Sequence, residues 1–253
     1  MTDININANL PESVDNAIKN VTDLPTQGIG QTLSDCWFLA FGGISQLAEK
    51  RRIKYTKDLE KFKKELEDSL ETVPEQRRKE PTTQIVLKTL DEAKYCVEED
   101  DLRQLFVALL TSATDSGKNV HPSFAQIIGQ MSSNDAKLLQ CFKSSSEQPI
   151  CNIRCYLNKE KTSYDVVRNI FLSGSSEMMP NEKSISISSL QRLGLIEMSW
   201  TEYFSNEDTY TPFLNSNIFL SAKRKYSMYE ITLEKGIAKL SPLGELFVSC
   251  CIK

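Results

Sequence analysis

Apolar positions recur at helical spacing through the first half of the chain. Tyr55, Leu59, Phe62, Leu66, Leu70 and Val73 alternate steps of four and three, the narrow seam of a helix that packs on another helix. The spacing predicts one long charged amphipathic helix over about 33–73, stopped by Pro74 and preceded by a short amphipathic piece from Pro11 to Val21. Its leading part, GIGQTLSDCWFLAFGGISQLAEK, carries Gly42 and Gly43 in mid-helix, where each glycine costs roughly 1 kcal/mol relative to alanine and suits a kink or a close helix crossing. Beyond the polar bend PEQRRKEP, Val86, Leu90, Ala93 and Val97 predict a helix over about 82–97. Leu102, Leu105, Phe106, Leu109 and Ala113 predict another over about 100–115, capped by Asp100 or Asp101 and closed by Gly117.

The pattern then shortens. In VHPSFAQIIGQMSSNDAKLLQCF, Phe124, Ile127, Ile128 and Met131 form one helical stripe with Pro122 in its first turn. Ser132, three residues before Asp135, reads as the N-cap of a second helix that buries Leu138, Leu139 and Phe142. Ile150 to Leu157 reads as a strand, and Tyr164, Val167, Ile170 and Phe171 read as a short helix before the polar loop SGSSEMMPNEKS. A third helix, capped by Ser184 or Ser186, faces Ile187, Leu190 and Leu193 inward and stops at Gly194 ahead of a strand from Leu195. Lys225 to Leu233 and Gly236 to Leu240 supply further strands, and Ser241 with Pro242 opens a closing helix faced by Leu243, Leu246, Phe247 and Cys250. Two tight helices, a third helix and a ribbon are the parts of a winged helix. The expected fold is therefore mainly α, with an N-terminal helical or coiled arm (1–117) in front of a C-terminal winged-helix-like α+β module with a small antiparallel sheet (118–253).

Composition narrows the function classes. The 253 residues are 40% hydrophobic and 25% charged, enough to bury a core, and the net charge of −4 argues against a protein that coats nucleic acid. The first residues lack a basic region followed by an apolar one, so no secretory signal is expected. Cys36 to Ile44 is half the apolar length of a spanning helix. The seven cysteines without a signal suggest a reducing compartment in which they pack as small hydrophobes, and the Cys151–Cys155 spacing fits no zinc knuckle. These readings point to a cytoplasmic protein, with peripheral contact at the inner face of the membrane left open.

Charge is segregated along the long helix. Lys50, Arg51, Arg52, Lys54, Lys57, Lys61, Lys63 and Lys64 meet Asp58 and Glu60 within one stretch, and an acidic run follows. This is a candidate surface for an anionic partner, a lipid surface or phosphate, set against a solvated helix face paired with an oppositely charged neighbour. A candidate recognition helix and wing would use Ser188, Gln191, Arg192, Lys223, Arg224 and Lys225, a thin supply of cations for reading duplex DNA. His121, the single histidine, stands at a helix start, where imidazole caps or packs, and no nucleophile lies at readable spacing. GIGQTLSD lacks the lysine of a phosphate loop, so neither catalytic residue, metal, cofactor nor small-molecule substrate is expected.

Six runs carry a resemblance across the span from Gly28 to Cys251: GIGQTLSD, ETVPEQRRKEP, DDLRQLFVALLTSATD, VHPSFAQIIGQMSSNDAKLL, LQRLGLIE and KLSPLGELFVSCC. Together they resemble the abortive infection alpha family of bacterial proteins. The resemblance implies a mainly helical cytoplasmic protein of bacterial or phage-associated origin, tied by the family's name to phage defence. Some relatives have a more apolar, glycine-rich leading segment suggestive of membrane action, and this chain departs from them at Asp35, Gln46 and the basic run. Two functions follow as expectations: a non-enzymatic defence protein that engages a protein partner, the membrane surface or itself through the long helix, and a winged-helix regulator that binds nucleic acid.

Overall fold

A computed structural model describes residues 31–41, 49–157, 162–174 and 178–252. The expected piece from Pro11 to Val21, the Gly42–Gly43 pair and Gln46 lie outside the described residues. The chain divides into two compact units at Gly129 and Gln130. The sequence-based boundary at 117/118 assigns the helix of Phe124 to the second unit, whereas it packs on helices of the first. Its apolar stripe finds its partners upstream, leaving Phe124 and Ile128 without solvent exposure.

The first unit is helical among its described residues: α1 (Gln31–Phe41), α2 (Glu49–Glu71), α3 (Thr83–Ala93), α4 (Asp100–Ala113) and α5 (Phe124–Gly129). The single helix expected over 33–73 is represented by α1 and α2. Leu59, Phe62, Leu66, Leu70 and Val73 are all buried, with α2 packed on α4, so the seam is filled from within the chain. Trp37 and Phe41 of α1 bring their rings to 5.2 and 6.4 Å from Phe62. Glu80 accepts the Thr32 backbone N–H at 2.8 Å, placing a carboxylate on the positive end of α1. Glu99, rather than Asp100 or Asp101, is the N-cap of α4, and Asp100 and Asp101 occupy its first turn.

Beyond α4 the backbone of Arg78 bridges to Asp115, and the Arg77 Nε donates to Asp115 Oδ1 at 2.8 Å. Burial works against ionised Asp115, but Arg77 and the Gly117 N–H at 2.8 Å together hold its carboxyl below the ordinary 3.8. A carboxyl lowered in the folded state stabilises above its unfolded value and ceases to do so as pH falls through its folded value. Asp115→Asn is therefore expected to melt below wild type at about pH 7 and level with it near pH 2. Calorimetry at the two pH values checks this, and an equal deficit at both counts against the linkage.

The second unit runs α6 (Ser133–Leu139), α7 (Cys141–Ser144), β1 (Glu147–Tyr156), β2 (Ser163–Ile170), α8 (Pro180–Arg192), β3 (Ile196–Ser199), α9 (Thr211–Leu214), α10 (Asn217–Lys225), β4 (Glu230–Leu240) and α11 (Pro242–Cys251). Its four strands form an antiparallel sheet in the order β2-β1-β4-β3. Ser132 caps α6 as the spacing predicts: its hydroxyl accepts from Asp135 N at 3.2 Å and its own N–H reaches Asp135 Oδ2 at 2.9 Å. Cys151, Ile153 and Cys155 of β1 lie in one buried cluster with Ile170, Ile231, Tyr210, Phe213, Phe219 and Ala222.

Three local expectations change. Tyr164 to Phe171 is not a helix but mostly strand β2, whose pairing to β1 is irregular between Cys151, Ile153 and Arg154. Tyr164, Val167 and Ile170 pair with Cys155, Ile153 and Cys151, so a step of three in β2 matches a step of two in β1. Asn169 takes up the slack at φ 55°. The third helix starts earlier than its serines suggest, at Pro180, with Glu182 accepting the Met179 N–H at 2.8 Å. Lys225 lies on α10 rather than in a strand, and Glu230 to Leu240 is one continuous strand that keeps Gly236.

Candidate functional site

On α2 the basic residues sort by face. Lys54, Lys57, Lys61 and Lys64 are exposed at steps of three, four and three, opposite the buried Leu59, Phe62 and Leu66. Lys63 is half-buried, and Lys50, Arg51 and Arg52 fall on the first turn with their side chains outside the described residues. Lys54 donates to Glu98 at 2.6 Å, which raises the lysine and lowers the carboxyl from their ordinary values. Both groups are well exposed, so the pair contributes little to stability. The acidic run is partly used internally. Glu65 accepts two bonds from Arg103, Nε to Oε2 at 3.0 Å and Nη2 to Oε1 at 2.9 Å. Arg103 also donates to the Val97 carbonyl at 2.9 Å and pairs with Asp100 at 2.7 Å. The segregation in the sequence is thus a lysine stripe facing outward and a carboxylate drawn to a buried guanidinium.

His121 and Tyr55 of the first unit are held by local contacts. His121 Nδ1 accepts the Ser123 backbone N–H at 3.2 Å and lies 2.7 Å from the Ser123 hydroxyl, with its ring 5.9 Å from Phe124. Tyr55 donates to the Lys94 carbonyl at 3.0 Å, and burial pushes its phenol up to about 12. Phe38 and Leu39 are exposed on α1, at 57% and 71%.

In the second unit the expected recognition helix is α8. Ser188 accepts from Asn169 Nδ2 at 2.8 Å and donates back to Ser184 O at 2.8 Å. Gln191 and Arg192 are exposed, and Arg192 donates to Gln130 Oε1 at 3.1 Å. Lys223, Arg224 and Lys225 are also exposed but sit on no wing: they form the last turn of α10. Ser216 caps that helix by accepting from Phe219 N at 3.2 Å, and Phe219 and Ala222 fix its buried face. Lys223 lies over the Phe219 ring at 5.4 Å and Lys225 over Tyr226 at 5.3 Å. Sequence reasoning missed the aromatic residues that flank this turn, although the run KRKYSMY sets Tyr226 and Tyr229 directly after the three cations.

A polar network crosses the sheet. Arg154 of β1 donates to Asp165 of β2 at 3.0 Å and to Glu234 of β4 at 2.7 Å, and Asn152 donates to Glu234 at 2.9 Å. It ties three strands by charge-assisted bonds. None of the seven cysteines forms a disulfide, and burial pushes the Cys151 thiol up to about 12 and that of Cys251 well above its usual range. Thiols so raised are protonated and poorly nucleophilic at neutral pH. No helix among the described residues is long and apolar enough to cross a membrane.

No curated protein and no solved structure matches the chain. The family model described as abortive infection alpha matches residues 54–251. That span takes in α2 from Lys54 onward with its lysine stripe, the Ser132 cap, the sheet and the closing helix α11, most of the chain. The chain belongs to the abortive infection alpha family.

Proposed function

We propose that this protein is a non-enzymatic component of phage defence of the abortive infection type, acting in the cytoplasm by binding an acidic protein partner. Family membership supports the abortive-infection role. The observation that carries the binding mode is the exposed stripe Lys54, Lys57, Lys61 and Lys64, held on a helix whose other face is anchored in the core. A rigid helix presenting like charges attracts an oppositely charged partner and speeds encounter more than it strengthens the final contact. The second unit is read as a winged-helix-like module for protein recognition. In support, α6 and α8 pack together, Ser189 donates to buried Asp135 at 3.0 Å, and α8 turns through Gly194 into β3. Peripheral contact with anionic lipid would use the same lysines, and the test separates it.

Phage challenge of a bacterial host carrying wild type or the triple variant Lys57→Glu, Lys61→Glu, Lys64→Glu provides that test. The three side chains are exposed and no ion pair among the described residues engages them, so the fold should survive. Protection is expected to fall about tenfold or more, through slowed partner encounter. Unchanged plaque counts with a normally folded variant overturn the proposal. Wild type that sediments with anionic but not neutral vesicles assigns the stripe to lipid rather than protein.

A further inference from the structure

Three tyrosines converge at one corner of the sheet beside three consecutive cations. Tyr164 in β2 lies opposite Cys155 in β1, and Cys155 lies opposite Ile231 in β4. Directly paired residues share a face, so Tyr164 stands on the face that α10 covers through Phe219 and Ala222. Tyr226, the residue after α10, packs against the same cluster, and its carbonyl accepts the Tyr229 N–H at 2.9 Å. Tyr164 and Tyr229 are 43% and 44% exposed. Tyr164 lies in β2 and Tyr229 directly precedes β4, the strands on either side of β1, so strand spacing sets their backbones at least about 10 Å apart.

Lys223, Arg224 and Lys225 end the helix above this corner, and no ion pair among the described residues engages them. Complementarity to the negative end of α10 accounts for a cation there. It does not account for the exposed rings beside three of them in a chain of net charge −4. The nearest acidic residue in the strand, Glu230, pairs with Tyr156 and so takes the opposite face.

We propose that this corner binds single-stranded nucleic acid, with bases stacked on Tyr164 and Tyr229 and phosphates held by Lys223, Arg224 and Lys225. Flat, sequence-tolerant ring faces next to a compact cationic turn suit unpaired bases. A duplex keeps its bases stacked on each other and would leave the rings idle. An acidic peptide would satisfy the cations but offers no flat partner for the tyrosines. This site is on a different unit from the lysine stripe, so either proposal can fail without the other.

Fluorescence anisotropy of the full chain with labelled oligothymidylate and oligouridylate tests it. With three phosphates neutralised, affinity should fall with a log–log salt slope of about −2, or roughly 15-fold between 50 and 200 mM salt. Tyr164→Ala and Tyr229→Ala are each expected to weaken binding about tenfold, while the corresponding phenylalanine variants keep it. Reversal of the three cations should abolish it, and Lys57→Glu should leave it intact. A preference between the two oligonucleotides decides DNA against RNA. No binding at 50 mM salt, equal binding of duplex, displacement by polyglutamate at lower concentration than by oligonucleotide, or indifference to the alanine variants overturns the proposal.

Discussion

Gly244→Ala is expected to cost the second unit about 3 kcal/mol and to lower its melting temperature by roughly 10 °C. A Cβ at this position would lie 1.9 Å from the Leu195 carbonyl oxygen and 2.9 Å from its carbon, atoms of the backbone that no rotamer change can withdraw. The helix end cannot slide away cheaply either. Ser241 N donates to Leu195 O at 3.0 Å, Ser241 Oγ donates to Gly194 O at 2.5 Å, and the same hydroxyl accepts Gly244 N at 3.0 Å. Gly194 stands at φ +75°, the left-handed region that lets α8 stop and aim these carbonyls at α11. Gly129→Ala is the control. Its Cβ would meet the end of the Glu92 side chain, which can rotate aside, so about 1 kcal/mol or less is expected. Thermal denaturation followed by circular dichroism compares them, and similar melting of the two variants sinks the docking account.

That contact joins two of the runs that carry the family resemblance, LQRLGLIE and KLSPLGELFVSCC. The sequence announces each as a helix boundary, through a glycine after an apolar stripe and a Ser-Pro cap. Their meeting is long-range and no spacing rule encodes it. Local signals of the same strength read correctly elsewhere: the α2 seam, the Ser132–Asp135 cap and the Ser241–Pro242 start all rest on side chains within one turn of each other. One misreading has its cause in tertiary pairing. Tyr164, Val167 and Ile170 mimic a helical stripe because an irregular pairing with β1 stretches the two-residue alternation of a strand to three. Lys223 to Lys225 look like a wing until Ser216, Phe219 and Ala222 are seen as one helical face. For the candidate surfaces, the lysine stripe was legible as a charge run. Its sorting from Glu65 needed the position of Arg103, and the tyrosine corner needed three strands brought together.

Glu65→Met is expected to destabilise the first unit more than Arg103→Met, by about 3 against about 1–2 kcal/mol, although Glu65 is the more exposed partner. Their side chains are 35% and 3% exposed. Removing the arginine leaves Glu65 and the 70% exposed Asp100, both of which water can reach, and methionine refills most of the buried volume. Removing the glutamate strands a guanidinium in the core with the Val97 carbonyl and one bond to Asp100. Hydrogen bonding to Glu65 is the largest influence raising the Arg103 pKa, ahead of the burial that opposes it, so loss of that partner leaves the desolvation cost uncovered. Arginine stays protonated at any pH the protein survives, and proton release offers no escape. The double variant Glu65→Met, Arg103→Met should therefore recover stability relative to Glu65→Met alone. Urea denaturation of the four proteins measures the coupling, and a double variant at least as unstable as the sum of the singles would show that the pair is not the electrostatic unit its geometry implies.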